Sequence, residues 1–517
     1  MSEMARRLAT GSTRVLGARA RSLLGVGVGI ALLLVVNTVV RETGVGAAGA
    51  PFVGSPSLPV VQMARPSAWR CPGPLPVGVG KESSRIALVN SATSPVGVVV
   101  TVSRTGLPVD GISSRESVST SRLEVGADSQ TVLTLPRRGP AGFAAVSIET
   151  DGGGIGVAES IRGGSNLAGG VLLSSPCTLG SAPSGYLPTG STLGSSDVEV
   201  SLYDPDATPA VVDVSVSNGS TLTAPPAFQG LVVPATGLVV LDLRRWVFQV
   251  SSLAVTASGV SGDLVVGALE TTSATVVMAS GSTGAQRVTR VQLTGSSLLV
   301  GSDRGLGQWA FTALQSRLGV ASMYSVYDPG ARSVSVSVAP PGRSGRVAAL
   351  TEDVPAGGMV DFATPIAPGA RVGVKSVVVS AEGGTAIVVA RLTTRQRGRV
   401  LEELNATSGT AGPQKAWLLP GAMVTPSIDD VVTLDDPGVR NASVTLLALT
   451  DGPAPAVHLG VVKVFAGSER NVDLKPLLKH APAFALEVRA TVPILAEQQL
   501  RPDRGQTTAI GGIPVSP

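Results

Sequence analysis

The sequence predicts an all-β protein: four tandem immunoglobulin- or fibronectin-like β-sandwich repeats behind one N-terminal transmembrane helix. Three observations carry that reading. A block of about a hundred residues recurs four times, each recurrence divides into short alternating strands between turn residues, and one uncharged apolar run precedes them all. Composition agrees, with 63 Gly and 37 Pro against only 15% charged residues favouring many short elements joined by turns, and 43% hydrophobic residues supplying a sizeable core.

Taken in order, residues 1–22 form a basic leader. Through Arg41 the chain carries six arginines against one acid, Glu3. Leu23–Val40 follows with 18 uncharged residues, enough for a helix of ~27 Å, close to a bilayer's hydrocarbon thickness. Positive charge before the run places the N-terminus in the cytoplasm and the bulk outside. Two readings of this leader compete: a retained single-pass signal anchor in the cell membrane, or a signal peptide cleaved near Ala48-Gly49-Ala50 to release a secreted protein. Residues 41–64 are expected to be an extended spacer.

The repeats then align. SRIALVNSATSPVGVVVTV, VEVSLYDPDATPAVVDVSV, ASMYSVYDPGARSVSVSV and VVTLDDPGVRNASVTLLAL each place a strand, a turn and a second strand. The turn falls at Asn90-Ser91, Asp204-Pro205, Asp328-Pro329 and Asp436-Pro437, where an Asx side chain can bond nearby backbone and Pro presets φ. Eight residues past each Asx stand Val98, Val212, Val336 and Val444, and two further on Val100, Val214, Val338 and Leu446. Alternation of this kind marks a strand with one buried face. Two further blocks, beginning near 125, 233, 354 and 464 and then near 145, 254, 376 and 485, read as hairpins with small or Gly-rich loops. An aromatic opens each copy, at Trp69, Tyr186, Trp309 and Trp417. A lead-in strand plus three hairpins gives about seven strands per copy, the count expected of a sandwich. The copies are expected at 65–175, 176–290, 291–400 and 401–500, with 501–517 a loose tail. The competing architecture is a β-propeller with two blades per copy.

Function classes narrow by what is scarce. Although the net charge is +4, the leader accounts for it: the remaining residues hold 34 basic and 35 acidic side chains, a balance that offers phosphate no general field, so nucleic-acid binding is excluded. His458 and His480 have no partner acid at informative spacing, and no G-x-S-x-G elbow or metal-ligand spacing occurs. No catalytic, cofactor or metal site is therefore assigned. Acids cluster at Asp429, Asp430, Asp435 and Asp436, which suit a glycosidase-like pair or a calcium loop less well than solvated charge. Cys71 and Cys177 either pair, closing a loop worth roughly 4–5 kcal/mol by chain entropy, or remain two buried thiols. Arg244, Arg245 and Trp246 form the one candidate binding patch, suited to an acidic or carbohydrate partner or else to a cation stacked on a core-edge indole.

The motifs W-x-C-P-G-P at 69–74, S-P-C at 175–177 and Y-L-P-T-G-S-T at 186–192, leading to L-Y-D-P, resemble an uncharacterised actinobacterial family of single-pass, exported, β-rich proteins. Members of that family are often encoded near a family 2 glycosyltransferase, so the resemblance implies a role with cell-envelope glycan. It carries over no catalytic residue. The expectation is a membrane-anchored extracytoplasmic scaffold or binding protein, possible partners being envelope glycan or a membrane glycosyltransferase. The alternative is an accessory enzyme acting on envelope polysaccharide through Asp435 and Asp436.

Overall fold

The computed structural model describes residues 60–516, apart from residue 64 and the segments 79–81, 114–115, 137–138, 164–171, 281–286, 313–319, 342–348, 364–375, 398–399, 453–454, 479–480 and 503–505. The chain is all-β, its strands arranged in several sheets, with no α-helix among the described residues. Every site discussed lies in the compact unit formed by 47–274 and 293–517.

The expected single-pass membrane location is not upheld. Among the described residues no helix is long and apolar enough to cross a membrane, and Leu23–Val40 lies outside them. The anchor is accordingly withdrawn.

Strand pairing follows one scheme. In the first copy Ala68–Val77, Gly142–Thr150, Val96–Gly106 and Glu116–Val125 lie side by side in that order, while Ser129–Thr134, Ser83–Asn90, Ile155–Arg162 and Leu172–Pro176 form a second sheet. The same order recurs downstream. Ser184–Leu187, Ala254–Ser261 and Ala210–Asn218 are neighbours, as are Gln308–Phe311, Val377–Ala381, Val334–Ala339 and Leu350–Val354. In the last copy the 22-residue strand Ala481–Pro502 serves both sheets, pairing with Gln414–Val424 and Ala442–Thr450 in its first half and with Ile428–Asp436 in its second.

Two expectations are corrected by this pairing. The three blocks read as hairpins are crossings between sheets: Ser83–Asn90 and Val96–Gly106, Glu116–Val125 and Ser129–Thr134, and Gly142–Thr150 and Ile155–Arg162 are each sequence neighbours in different sheets. Turn residues fix how sharply the chain bends, not whether it folds back within one sheet or arches over a core, so local sequence could not separate the two. The pairing also departs from the immunoglobulin constant arrangement, in which strands A, B, E and D form one sheet and C, F and G the other. Here the first strand joins the sixth, and the seventh lies beside the second.

The Asx residues explain why the arches form. Asn90, Asp204, Asp328 and Asp436 are all fully buried, and the Oδ1 of each accepts the backbone N–H two residues on, from Ala92 (2.9 Å), Asp206 (2.8 Å), Gly330 (2.7 Å) and Gly438 (2.9 Å). Alternation beyond them holds as expected. Val98, Val212, Val336 and Val444 are buried, together with Val100, Val214, Val338 and Leu446, while Val99, Asp213, Ser337 and Thr445 between them are half-exposed. Trp69, Trp309 and Trp417 are buried with their indole N–H groups satisfied, by Ser67 Oγ (3.0 Å), Ile387 O (2.7 Å) and Ile494 O (3.0 Å).

Boundaries shift as well. Val61–Gln62, at the end of the expected spacer, pairs in parallel with Ile513–Ser516, and Thr508–Gly511 pairs with Ala481–Pro502, so the expected loose tail is structured to Ser516. Val400–Ser408 pairs with Val388–Arg397 and thus belongs to the third copy's sheet, beyond its expected end at 400.

Candidate functional site

The patch at 244–246 begins where the strand Leu238–Asp242 ends and the chain turns through one 3-10 turn, Leu243–Arg245. Leu243 is fully buried and pins the turn to the core, which leaves Arg244 and Arg245 outside. The Trp246 N–H donates to Leu243 O at 3.0 Å, and its ring lies 5.5 Å from the buried Phe228. Trp246 remains 36% exposed. A loop of the first copy closes the other side: Ser113 N donates to Val240 O (3.0 Å), Asp242 N to Gly111 O (2.9 Å), and Val240 N to Ser113 Oγ (2.7 Å). Gly111 is required there. Its φ is +88°, and a Cβ would lie 2.5 Å from the indole Nε1. Arg245 reaches Asp242 at 3.4 Å, and Arg244 donates to Gly194 O at 3.4 Å. The result is a half-exposed indole held from two sides, next in the chain to two exposed arginines whose guanidinium groups reach Asp242 and Gly194 O, an arrangement able to stack on an apolar face and hydrogen-bond acidic or hydroxyl groups.

Beside this patch the fold gathers acids that the sequence scatters. Asp197 and Glu199 stand two apart on the strand Asp197–Tyr203, and Glu199 pairs in register with Asp242. Burial pushes Glu199 up to about 8, with the charges of Asp197, Asp242 and Glu82 adding to the shift. Asp197 is raised to about 6, by burial first and then by Asp242, with Arg244 opposing. No sequence signal joins positions 82, 197, 199 and 242; strand register brings Glu199 to Asp242, and Glu82 comes near from outside the pairing.

Cys71 and Cys177 are joined in a disulfide across 106 residues, which resolves the choice left by the sequence. Glu159 lies against it, fully buried, its Oε2 accepting the Gly73 N–H at 3.0 Å and its carboxyl raised to about 8 by burial. Cys177 lines a small cavity of about 90 Å³ together with Ser175, Trp309, Thr407, Gly409 and Pro514. Among the described residues the one grouping of three metal-ligating side chains is Cys71, Glu159 and Cys177, whose sulfurs are already committed to each other.

The acids at 429–436 are not brought to a common cleft. Asp429 pairs with Lys475 at 2.5 Å. Asp430 is buried, accepts bonds from Met423 N (2.9 Å) and Gln498 Nε2 (2.5 Å), and is raised to about 7 by burial. Asp435 is also raised to about 7, chiefly by burial, while Asp436 holds its arch turn on the opposite face of the strand. His458 is exposed, and His480 lies outside the described residues.

A scan against protein-family models finds none that matches this chain, and no curated protein matches it significantly.

Proposed function

We propose that the protein is a non-enzymatic scaffold or binding protein of the cell envelope, composed of four tandem β-sandwiches, that holds an acidic envelope glycan at Trp246, Arg244 and Arg245 and thereby assists a glycosyltransferase. The observation that carries this reading is the half-exposed indole held between Phe228 and Gly111, with the exposed Arg244 and Arg245 immediately before it in the chain. A large aromatic left at a surface and fixed in orientation loses little entropy on stacking against a sugar ring. The Cys71–Cys177 disulfide supports an oxidising compartment, as the envelope reading requires.

Titration calorimetry with uronic-acid-bearing and neutral envelope polysaccharides tests it. Trp246→Ala should weaken binding of the acidic polymer at least tenfold, and Arg244→Ala with Arg245→Ala should remove the preference for acidic over neutral polymer. Equal affinity of the native protein and Trp246→Ala would overturn the proposal. The enzymatic alternative has less support, because Asp436 is committed to a backbone turn and Asp435 lies on the opposite strand face.

A further inference from the structure

We propose that Cys71–Cys177 is a thiol–disulfide exchange site, that a small dithiol is its co-reactant, and that Glu159 handles the proton. The inference starts from proximity. A carboxylate oxygen of Glu159 and both sulfurs lie within 4.8 Å of one another. Glu159 is fully buried on the strand Ile155–Arg162, and its Oε1 has no hydrogen-bond partner among the described residues. A disulfide that only braces a fold needs no acid beside it, and burying a half-satisfied carboxyl is costly. Reduction, by contrast, creates a thiolate inside an apolar core, and a neutral carboxyl within 4.8 Å is placed to supply the proton it needs.

Access comes from the chain's course. Cys177 is the crossover residue between two short edge strands, Leu172–Pro176 in one sheet and Thr178–Leu179 in the other, and it forms part of the cavity wall. Its sulfur is closed to water in the resting structure, so attack proceeds by opening of this short segment, whose ladder bonds to both sheets and the Cys177 N–H bond to Val157 O (3.0 Å) must part first. One thiolate of the dithiol attacks Cys177 Sγ, the S–S bond breaks, and its electron pair goes to Cys71 Sγ, which takes the Glu159 proton. The dithiol's second thiol gives its proton to the Glu159 carboxylate and attacks its own sulfur now joined to Cys177. Cys177 leaves with the electron pair and accepts that proton, and Glu159 is reprotonated from solvent. The dithiol ends as a cyclic disulfide and the protein as two thiols, with two electrons and two protons transferred.

The test is the rate at which dithiothreitol reduces the folded full chain, read by alkylating the released thiols and weighing the products. In the native protein the rate should rise in proportion to dithiothreitol, and at pH 7 Glu159→Gln should slow it at least tenfold, the ratio shrinking toward pH 9. The concentration dependence needs no variant. A rate equal to the protein's global unfolding rate at every dithiothreitol concentration would mean release only through unfolding, and an unchanged rate in a folded Glu159→Gln protein would remove the acid; either result overturns the proposal.

Discussion

Glu159 also makes a prediction about stability whose size can be worked out. Its carboxyl stands at about 8 in the folded protein against an ordinary 4.5. Below pH 4.5 both folded and unfolded chains carry the proton, and the group's full contribution is present. As pH rises above 4.5 the unfolded chain ionises while the folded one does not, so stability falls, and the loss levels off above about pH 8. With 1.36 kcal/mol per unit, the complete loss is roughly 5 kcal/mol, of which about 2–3 kcal/mol falls between pH 5 and pH 7. Glu159→Gln removes the titration while keeping an oxygen for the Gly73 N–H. Urea unfolding of both proteins at pH 5, 6, 7 and 8, followed by tryptophan fluorescence, gives the variant's stability relative to the native protein at each pH. Glu199, Asp430 and Asp435 shift the same way but cancel in that difference. The variant should gain about 2–3 kcal/mol on the native protein from pH 5 to pH 7. A difference that stays flat over this range would refute a neutral, buried Glu159.

Three further outcomes are expected. Arg391 and Glu497 form a buried ion pair, to which Thr312 and Thr407 add hydrogen bonds; Arg391→Met alone should cost about 3–5 kcal/mol by stranding the carboxylate, while Arg391→Met with Glu497→Leu should come within about 1 kcal/mol of native in urea unfolding. Replacing both Cys71 and Cys177 by Ala should lower stability by about 5 kcal/mol, the chain-entropy value for a loop of 106 residues, and a loss under 1 kcal/mol would show that the unfolded chain is already constrained. Asp328→Ala should cost about 1–3 kcal/mol by leaving the Gly330 N–H without its acceptor, and Asp328→Asn, which keeps an Oδ1, under 1 kcal/mol; equal costs would rule out the Asx turn as the source.

What the sequence made legible followed from periodicity. The valines eight and ten residues past each Asx alternate at the strand period, and all four copies bury them, because one face of a half-buried strand must be apolar. Asn90 and the three aspartates were legible for the same local reason, since an Asx side chain reaches only a few backbone atoms. Pairing was not legible. Whether Gly142–Thr150 and Ile155–Arg162 share a sheet depends on partners at 68–77 and 83–90, and no turn residue encodes that. The acids at 82, 197, 199 and 242 were invisible for a related reason, being assembled from three distant segments, Glu199 and Asp242 by strand register. Glu159 stood in an ordinary-looking strand, and nothing near it in sequence announced that its carboxyl would meet a disulfide closed between residues 71 and 177. The patch at 244–246 was found because its three residues are consecutive, yet Gly111, which fixes the indole, comes from another copy.

The arch connections bear on more than topology. A hairpin closes a sheet on itself, whereas an arch sends each strand to the opposite sheet, so the trailing strand of a copy emerges at a sheet edge with its ladder unpaired on one side. Here those edges find neighbours. Val400–Ser408 and Arg287–Val300 join the second and third copies in one eight-stranded sheet, and the strand Leu172–Pro176 of the first copy receives a bond from Thr508 of the last. Polar pairs then accumulate at the seams: Gln506 exchanges hydrogen bonds with the Ser296 backbone, Thr256 donates to Tyr327 Oη at 2.8 Å, and Arg391 meets Glu497. Copies joined this way resist bending relative to one another far more than beads on a linker would, because separating them breaks ladder bonds and strands buried polar groups. That rigidity is what a scaffold requires, since a surface assembled from two copies, as around Trp246, keeps its shape only while the seam beneath it is closed.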